Sequence, residues 1–223
     1  DGVERLKAAG ASEAEIAAEK ENIRFAWRPM EAGRRLQDLL TEFALTIRSP
    51  RFTPQFLNLF LRTYRQHADH ILHNYSKQGN HLLFESQRLV FAGVFFPEFR
   101  DADRWRGTGV EILNREIGEQ VYDDGMQYEL DLHYHHESIG IFFKALQMMD
   151  ANGYRGDFPA EYLATVERMI DAYIDCSFPD YTTPLFSDNR FREREELMPC
   201  YRAWAEVFPD NAAIRWMATE GRE

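Results

Sequence analysis

Only two cysteines, Cys176 and Cys200, occur in 223 residues, which excludes a disulfide framework and a Cys-rich zinc site. A single bridge and two free thiols both stay open at this level. No run of about 18 apolar residues occurs, so no helical membrane span and no membrane partner are expected. Basic residues are outnumbered, 26 Lys and Arg against 37 Asp and Glu, giving a net charge of −11. Binding a nucleic-acid duplex needs a clustered basic face to release counterions, so nucleic acid is not expected as a partner. A P-loop, a Gly-rich dinucleotide fingerprint, a nucleophile elbow and a His-Glu-x-x-His motif are also missing. Strand-like alternation is confined to a weak stretch from Gln127 to Leu132, too short to define a sheet.

What is present suits a packed core: 44% hydrophobic and 14% aromatic residues exclude a disordered tail. Ser12-Glu13-Ala14-Glu15 has capping-box spacing and opens an Ala/Glu-rich helix running to about Trp27. Pro29 breaks it. From Met30 to Ile47, Leu36, Leu39, Leu40 and Phe43 fall at helical spacing. Thr53-Pro54 reads as an N-cap followed by Pro at the first helical position. Behind it Leu57, Phe60, Leu61, Tyr64, Ala68, Ile71, Leu72 and Tyr75 form one stripe. Further helices are predicted at about 81–95, 102–122, 135–150, 159–176, 191–207 and 211–218. Breaks fall at Gly79, Pro97, Asp124-Gly125, Gly153 to Pro159, Pro179/Pro184 and Pro209. Helices of this length with short connections make antiparallel hairpins, so the expected class is all-α. Hairpins of this kind close into an (α/α) toroid or stack as an open solenoid, and periodicity does not choose between them.

Asp1-Gly2-Val3-Glu4 carries no initiator Met, and Thr219 to Glu223 is polar and Gly-containing. The chain therefore reads as a piece of a longer protein, residues 1–223 forming part of one domain.

Histidine is the most conspicuous polar residue, with seven copies. His67, His70 and His73 recur every third residue and fan over about 120° of a helix, so they do not converge on one metal. A solvated or groove-facing polar face is the plain expectation. His133, His135 and His136 surround Tyr134 just before a helix expected near Glu137. This run admits a metal site with Glu129 or Glu137, a partly buried aromatic patch, or a polar catalytic wall. Asn80 after Gly79 reads as an N-cap. Arg28, Arg34 and Arg35, near Trp27 and Glu31, suit either a solvated face or a groove for an anionic ligand, since guanidinium forks match carboxylate and sulfate.

Two long blocks bear a resemblance. Gly79-Asn80-His81-Leu82-Leu83-Phe84-Glu85, continuing to Phe96-Pro97-Glu98-Phe99, is one. The other runs from Trp105 through Gly109-Val110-Glu111-Ile112-Leu113-Asn114 to Gln120-Val121-Tyr122-Asp123-Asp124-Gly125-Met126-Gln127-Tyr128-Glu129-Leu130. They resemble the helical domain of the heparinase II/III family of polysaccharide lyases, and within it the heparinase III (heparan sulfate lyase) pattern. The similarity runs from about Arg24 to the end.

The resemblance implies an incomplete (α/α) toroid, followed in the family by a β-sandwich absent from this chain. It implies β-elimination next to a uronic acid, leaving a 4,5-unsaturated sugar. Asn80 matches the Asn of the family's Asn-His pair, His81 its partner, and Tyr134 the catalytic Tyr. His135, Arg28, Glu31 and Glu129 are candidate substrate contacts; His133 and His136 depart from the pattern and receive no role. No metal and no cofactor are expected in this part. The implied partners are heparan sulfate and the missing β-sandwich, the implied location periplasmic or secreted. This piece alone is expected to be inactive. Two alternatives stand beside it, a lyase on alginate or another uronate polymer and a non-catalytic carbohydrate-binding module. A metal-binding protein built on the His clusters is a third.

Overall fold

The computed structural model describes residues 2–222. They form ten α-helices and one 3-10 turn: α1 (Gly2–Ala8), α2 (Glu13–Ala26), α3 (Pro29–Thr46), α4 (Pro54–Asn74), α5 (Gly79–Phe95), α6 (Ala102–Gln120), α7 (Leu132–Ala151), a turn at Arg155–Asp157, α8 (Ala160–Asp175), α9 (Arg194–Val207) and α10 (Ala212–Ala218). Among the described residues the only β-pairing is an isolated antiparallel bridge between Val121 and Gln127. The all-α expectation holds. The chain divides into two compact units, one up to Thr108 and one from Gly109 onward.

The starts of α2 and α4 follow their caps. Ser12 and Glu15 form the reciprocal capping box, and the Thr53 side chain accepts from the Phe56 N–H with Pro54 opening the helix. In the first unit α3, α4 and α5 pack on one another. Leu36 and Leu40 of α3 meet Phe60, Tyr64, Ala68 and Ile71 of α4 in one buried cluster. Leu57 is only half-buried and Tyr75 exposed, so the predicted α4 stripe is truncated at both ends. Phe43 sits among Phe60, Phe95 and Phe96 at ring separations of 5.0–6.1 Å, in tilted and edge-on arrangements. Trp105 is fully buried and donates its indole N–H to Asp69 Oδ1 at 3.0 Å. Burying one such side chain contributes about 1.5–3 kcal/mol. Gly33 lets α3 approach α5, since a Cβ there would come within 3.0 Å of Phe84.

In the second unit α7 packs on α8, and α10 packs on both α8 and α9. Tyr162 is fully buried and its hydroxyl donates to Phe142 O at 3.0 Å. Between α6 and α7 the chain makes a narrow strap, with the Tyr122 N–H on Met126 O and the Tyr128 N–H on Gln120 O. Gly125 turns it at φ +89°, where any side chain would collide with the Arg168 carbonyl of α8.

Candidate active site

The two residues matched to catalytic positions occupy the same kind of place, the first turn of a helix. In the first unit, α5 starts at Gly79 (φ +79°), so Asn80 is its second residue rather than its N-cap. The N-cap is Gln78, whose side chain makes no capping bond. What fixes this start is Glu85, one and a half turns further on and 1% exposed. Its carboxylate accepts from the Ser76 N–H at 2.5 Å and the Ser76 hydroxyl at 3.0 Å, tying down the approach to the helix. Burial pushes the Glu85 carboxyl up, and the Ser76 bonds oppose that. Asn80 is half-buried and His81 exposed. Neither side chain has a hydrogen-bond partner among the described residues. The uncapped first-turn N–H groups and the Asn80 amide together make a donor-rich, electropositive end.

Of the two forms expected for the His67, His70, His73 face, solvated or groove-facing, the plainly solvated one does not hold. His67 is 5% exposed, accepting at Nε2 from Arg35 Nε (2.9 Å) and donating from Nδ1 to Thr63 O (2.8 Å). His70 donates through Nε2 to Trp27 O at 2.6 Å, and the Trp27 ring lies 5.0 Å from His67 and 5.2 Å from His70. Only His73 is exposed. Arg28 and Glu31 bind each other bidentately, at 2.5 and 3.0 Å. The pairing holds Glu31 below the usual carboxylate range. An incoming anion would thus meet a neutralised pair, and this geometry adds nothing in favour of Arg28 and Glu31 as substrate contacts.

In the second unit α7 begins at Leu132, three to five residues earlier than its sequence indicates, because Asp131 caps it. Asp131 Oδ1 accepts from the N–H groups of His133 (2.8 Å) and Tyr134 (3.0 Å). The whole His-Tyr-His-His run is therefore helical and its side chains diverge. Tyr134 is half-buried, its hydroxyl without a partner among the described residues. The cap pins its backbone and leaves its phenol free.

His135 requires a correction. It is 0% exposed and cannot contact a substrate in this structure. Its Nδ1 accepts from the Gln127 N–H at 3.1 Å, so the proton sits on Nε2 and is donated to Met169 O at 2.8 Å. It joins strap, α7 and α8. Burial lowers its pKa to about 4, so it stays neutral. Gln127, itself fully buried, accepts at Oε1 from the Glu129 N–H at 3.0 Å. Glu129 is half-buried, its Oε1 3.4 Å from the Gln127 amide nitrogen.

His133 lies on the opposite side of the α7 turn. Arg192, only 4% exposed, reaches it from the irregular segment before α9. Arg192 Nη2 is 2.5 Å from His133 Nδ1 and 3.0 Å from Glu137 Oε1. His136 packs on Tyr173 at 5.2 Å and Trp204 at 6.0 Å, as part of an aromatic core. Among the described residues no group of three or more His, Cys, Asp and Glu is placed to hold a metal ion. Cys176 and Cys200 are free thiols, and no described helix is long and apolar enough to cross a membrane.

Sequence reasoning missed Asp131, Glu85 and Arg192. Asp131 was detectable, since Asp three residues before Tyr134 is a cap signal. Glu85 and Arg192 were not, because their partners are set by folding.

The family described as "Heparinase II/III N-terminus" matches residues 9–216. A heparin-sulfate lyase of Bacteroides stercoris is 53% identical over 94% of this chain and 31% of its own length. One from Pedobacter heparinus is 48% identical over 92% of this chain and 31% of its own. This chain thus spans less than a third of those relatives. A solved heparinase III, 55% identical, superposes with a TM-score of 0.84 over 97% of this chain and 34% of that one. A match across nearly the whole chain, in sequence and in helical fold, places this protein in the heparinase II/III N-terminus family.

Proposed function

We propose that this chain is the N-terminal, incomplete (α/α)-toroid part of a longer polysaccharide lyase that cleaves heparan sulfate by β-elimination. The observation that carries the reading is the 53% identity, over 94% of the chain, to a protein named heparin-sulfate lyase. The geometry supports it. Asn80 and Tyr134 each stand on a first helical turn with functional atoms unengaged by the described residues.

The chemistry demands two things. The proton at C5 of the uronate is too weakly acidic to leave until the adjacent carboxylate is neutralised. A fixed amide such as Asn80, backed by the electropositive start of α5, donates to that carboxylate as charge develops. A base must then take the proton, and an acid must protonate the glycosidic oxygen as the C4–O bond breaks. In a glucuronate, proton and leaving group share a face, and Tyr134 serves both steps. In an iduronate they lie on opposite faces, and a second acid–base group from elsewhere in the polypeptide is required. His81, exposed beside Asn80, and the half-buried Glu129 are the substrate contacts this reading retains. No residue here is assigned to a cofactor.

The reading includes a β-sandwich in the complete polypeptide, an extracytoplasmic location in the periplasm or medium, and no turnover by this portion alone. The test is the ultraviolet absorbance of unsaturated uronate formed by the complete polypeptide on heparan sulfate, chondroitin and alginate in parallel. Heparan sulfate should give the fastest rise. A rise on alginate alone would overturn the substrate, and no rise on any of the three would leave a carbohydrate-binding module.

A further inference from the structure

We propose that His133 is an additional substrate-binding residue of the lyase site, a neutral Nε2–H donor whose tautomer is fixed by the buried Arg192. The proposal rests on the function inferred above and deepens it by naming a donor and its acceptor class, an oxygen of the uronate polymer.

The argument begins with which atoms can donate. A guanidinium has five N–H donors and no acceptor, and it is not deprotonated in proteins. Arg192 Nη2 lies 2.5 Å from His133 Nδ1, so that nitrogen must be the acceptor. The ring proton is then on Nε2. Glu137 Oε1 is 3.9 Å from His133 Nδ1, and Arg192 occupies the space between by donating to it at 3.0 Å. A second proton on His133 would displace Arg192 from a site where its own side chain is 3% exposed. Burial and then Arg192 hold His133 below its ordinary pKa; Glu137 and Asp131 pull the other way, and Arg190 adds to Arg192.

The Nε2–H is the part left over. Nothing among the described residues accepts it, yet the side chain is 24% exposed. The ring adjoins Tyr134, with centroids 5.2 Å apart. A buried arginine anchored on the opposite nitrogen holds this donor at the side of the proposed catalytic phenol. The acceptor it suits is a hydroxyl, carboxylate or sulfate oxygen. Because the donor is uncharged, binding through it does not switch off as pH rises through 6 to 8.

The test has an arm that does not depend on activity. Nitrogen-15 NMR of His133 in the complete polypeptide should show the neutral Nε2–H tautomer at pH 7. An Nδ1–H tautomer, or an imidazolium at pH 7, would overturn the proposal. In kinetics, His133→Ala should lower kcat/KM about 10-fold or more, mostly through KM. His133→Gln, which places an amide N–H near the Nε2 position, should recover most of that loss. Arg192→Met should bring a new acidic limb to the pH profile of kcat/KM near the ordinary histidine pKa of about 6.5. Unchanged kcat/KM in His133→Ala would sink the substrate contact even with the tautomer as expected. If instead the complete polypeptide forms no unsaturated uronate on any of the three polymers, the lyase reading fails, while the NMR result still judges the Arg192 lock.

Discussion

The two histidine clusters use the same contact to opposite ends. In the first unit Arg35 donates into His67, and in the second Arg192 donates into His133. Each arginine turns its histidine into a neutral ring with a known tautomer. What differs is the other nitrogen. His67 passes its proton to Thr63 O and stacks against Trp27, so its hydrogen-bonding capacity is closed within the fold. The Nε2–H of His133 has no acceptor among the described residues. A histidine satisfied at both nitrogens is scaffold, and one satisfied at a single, fixed nitrogen is available for work. By that criterion His135, satisfied by Gln127 and Met169, belongs with His67 despite its place next to Tyr134.

Asn80→Ala should break the comparison most on the functional side. Removing the amide should lower kcat by about 10²–10³-fold in the complete polypeptide, as loss of one donor to developing charge does elsewhere. Its melting temperature should stay put, since the side chain has no partner among the described residues. A large thermal shift would reclassify Asn80 as scaffold.

His135→Ala should lose about 3 kcal/mol or more, because it strands a buried N–H of Gln127 and the Met169 carbonyl beside a cavity. Chemical denaturation measures this directly, and a loss under 1 kcal/mol would contradict the scaffold assignment. The same residue sets a pH dependence. Its folded pKa of about 4 lies below the ordinary value of 6.5, so the unfolded chain binds the proton more tightly. Its stabilising contribution is fully present above pH 6.5 and falls through the window from 6.5 to 4, by about 3 kcal/mol in all. Denaturation curves across that range should flatten in a His135→Gln variant.

His67→Ala sharpens the contrast from the other side. It should lose about 2 kcal/mol of stability, through the Arg35 and Thr63 bonds and the Trp27 packing, and leave kcat/KM unchanged. His133→Ala should show the reverse pattern. Equal behaviour of the two variants would erase the distinction drawn here.

Most of the fold was legible in the sequence, and less of the site. The cap at Ser12, the Thr53-Pro54 start, the stripe of α3 and the middle of the α4 stripe are local signals, and they folded as read. The start of α7 is signalled by Asp131 and not by the four aromatic and imidazole residues that follow it. The start of α5 was shifted for the opposite reason. Gln78 gives no capping signal, and the anchoring carboxylate, Glu85, sits inside the helix. Asn80 and Tyr134 were marked only by resemblance, since spacing gave Asn80 a cap's role and left Tyr134 among three readings. The histidine contacts of Arg35 and Arg192 could not be found in this way. Their partners are 32 and 59 residues distant, and no period in the sequence encodes such a contact.

The most direct test of the account is ultraviolet detection of unsaturated uronate on heparan sulfate by the complete polypeptide and its Tyr134→Phe variant. Steady absorbance growth in the parent and a loss of about 10²–10⁴-fold in the variant, with unchanged thermal stability, is the predicted result. A variant that cleaves as fast as the parent would contradict the assignment of proton transfer to Tyr134, and with it the reading of the α7 first turn as part of a catalytic site.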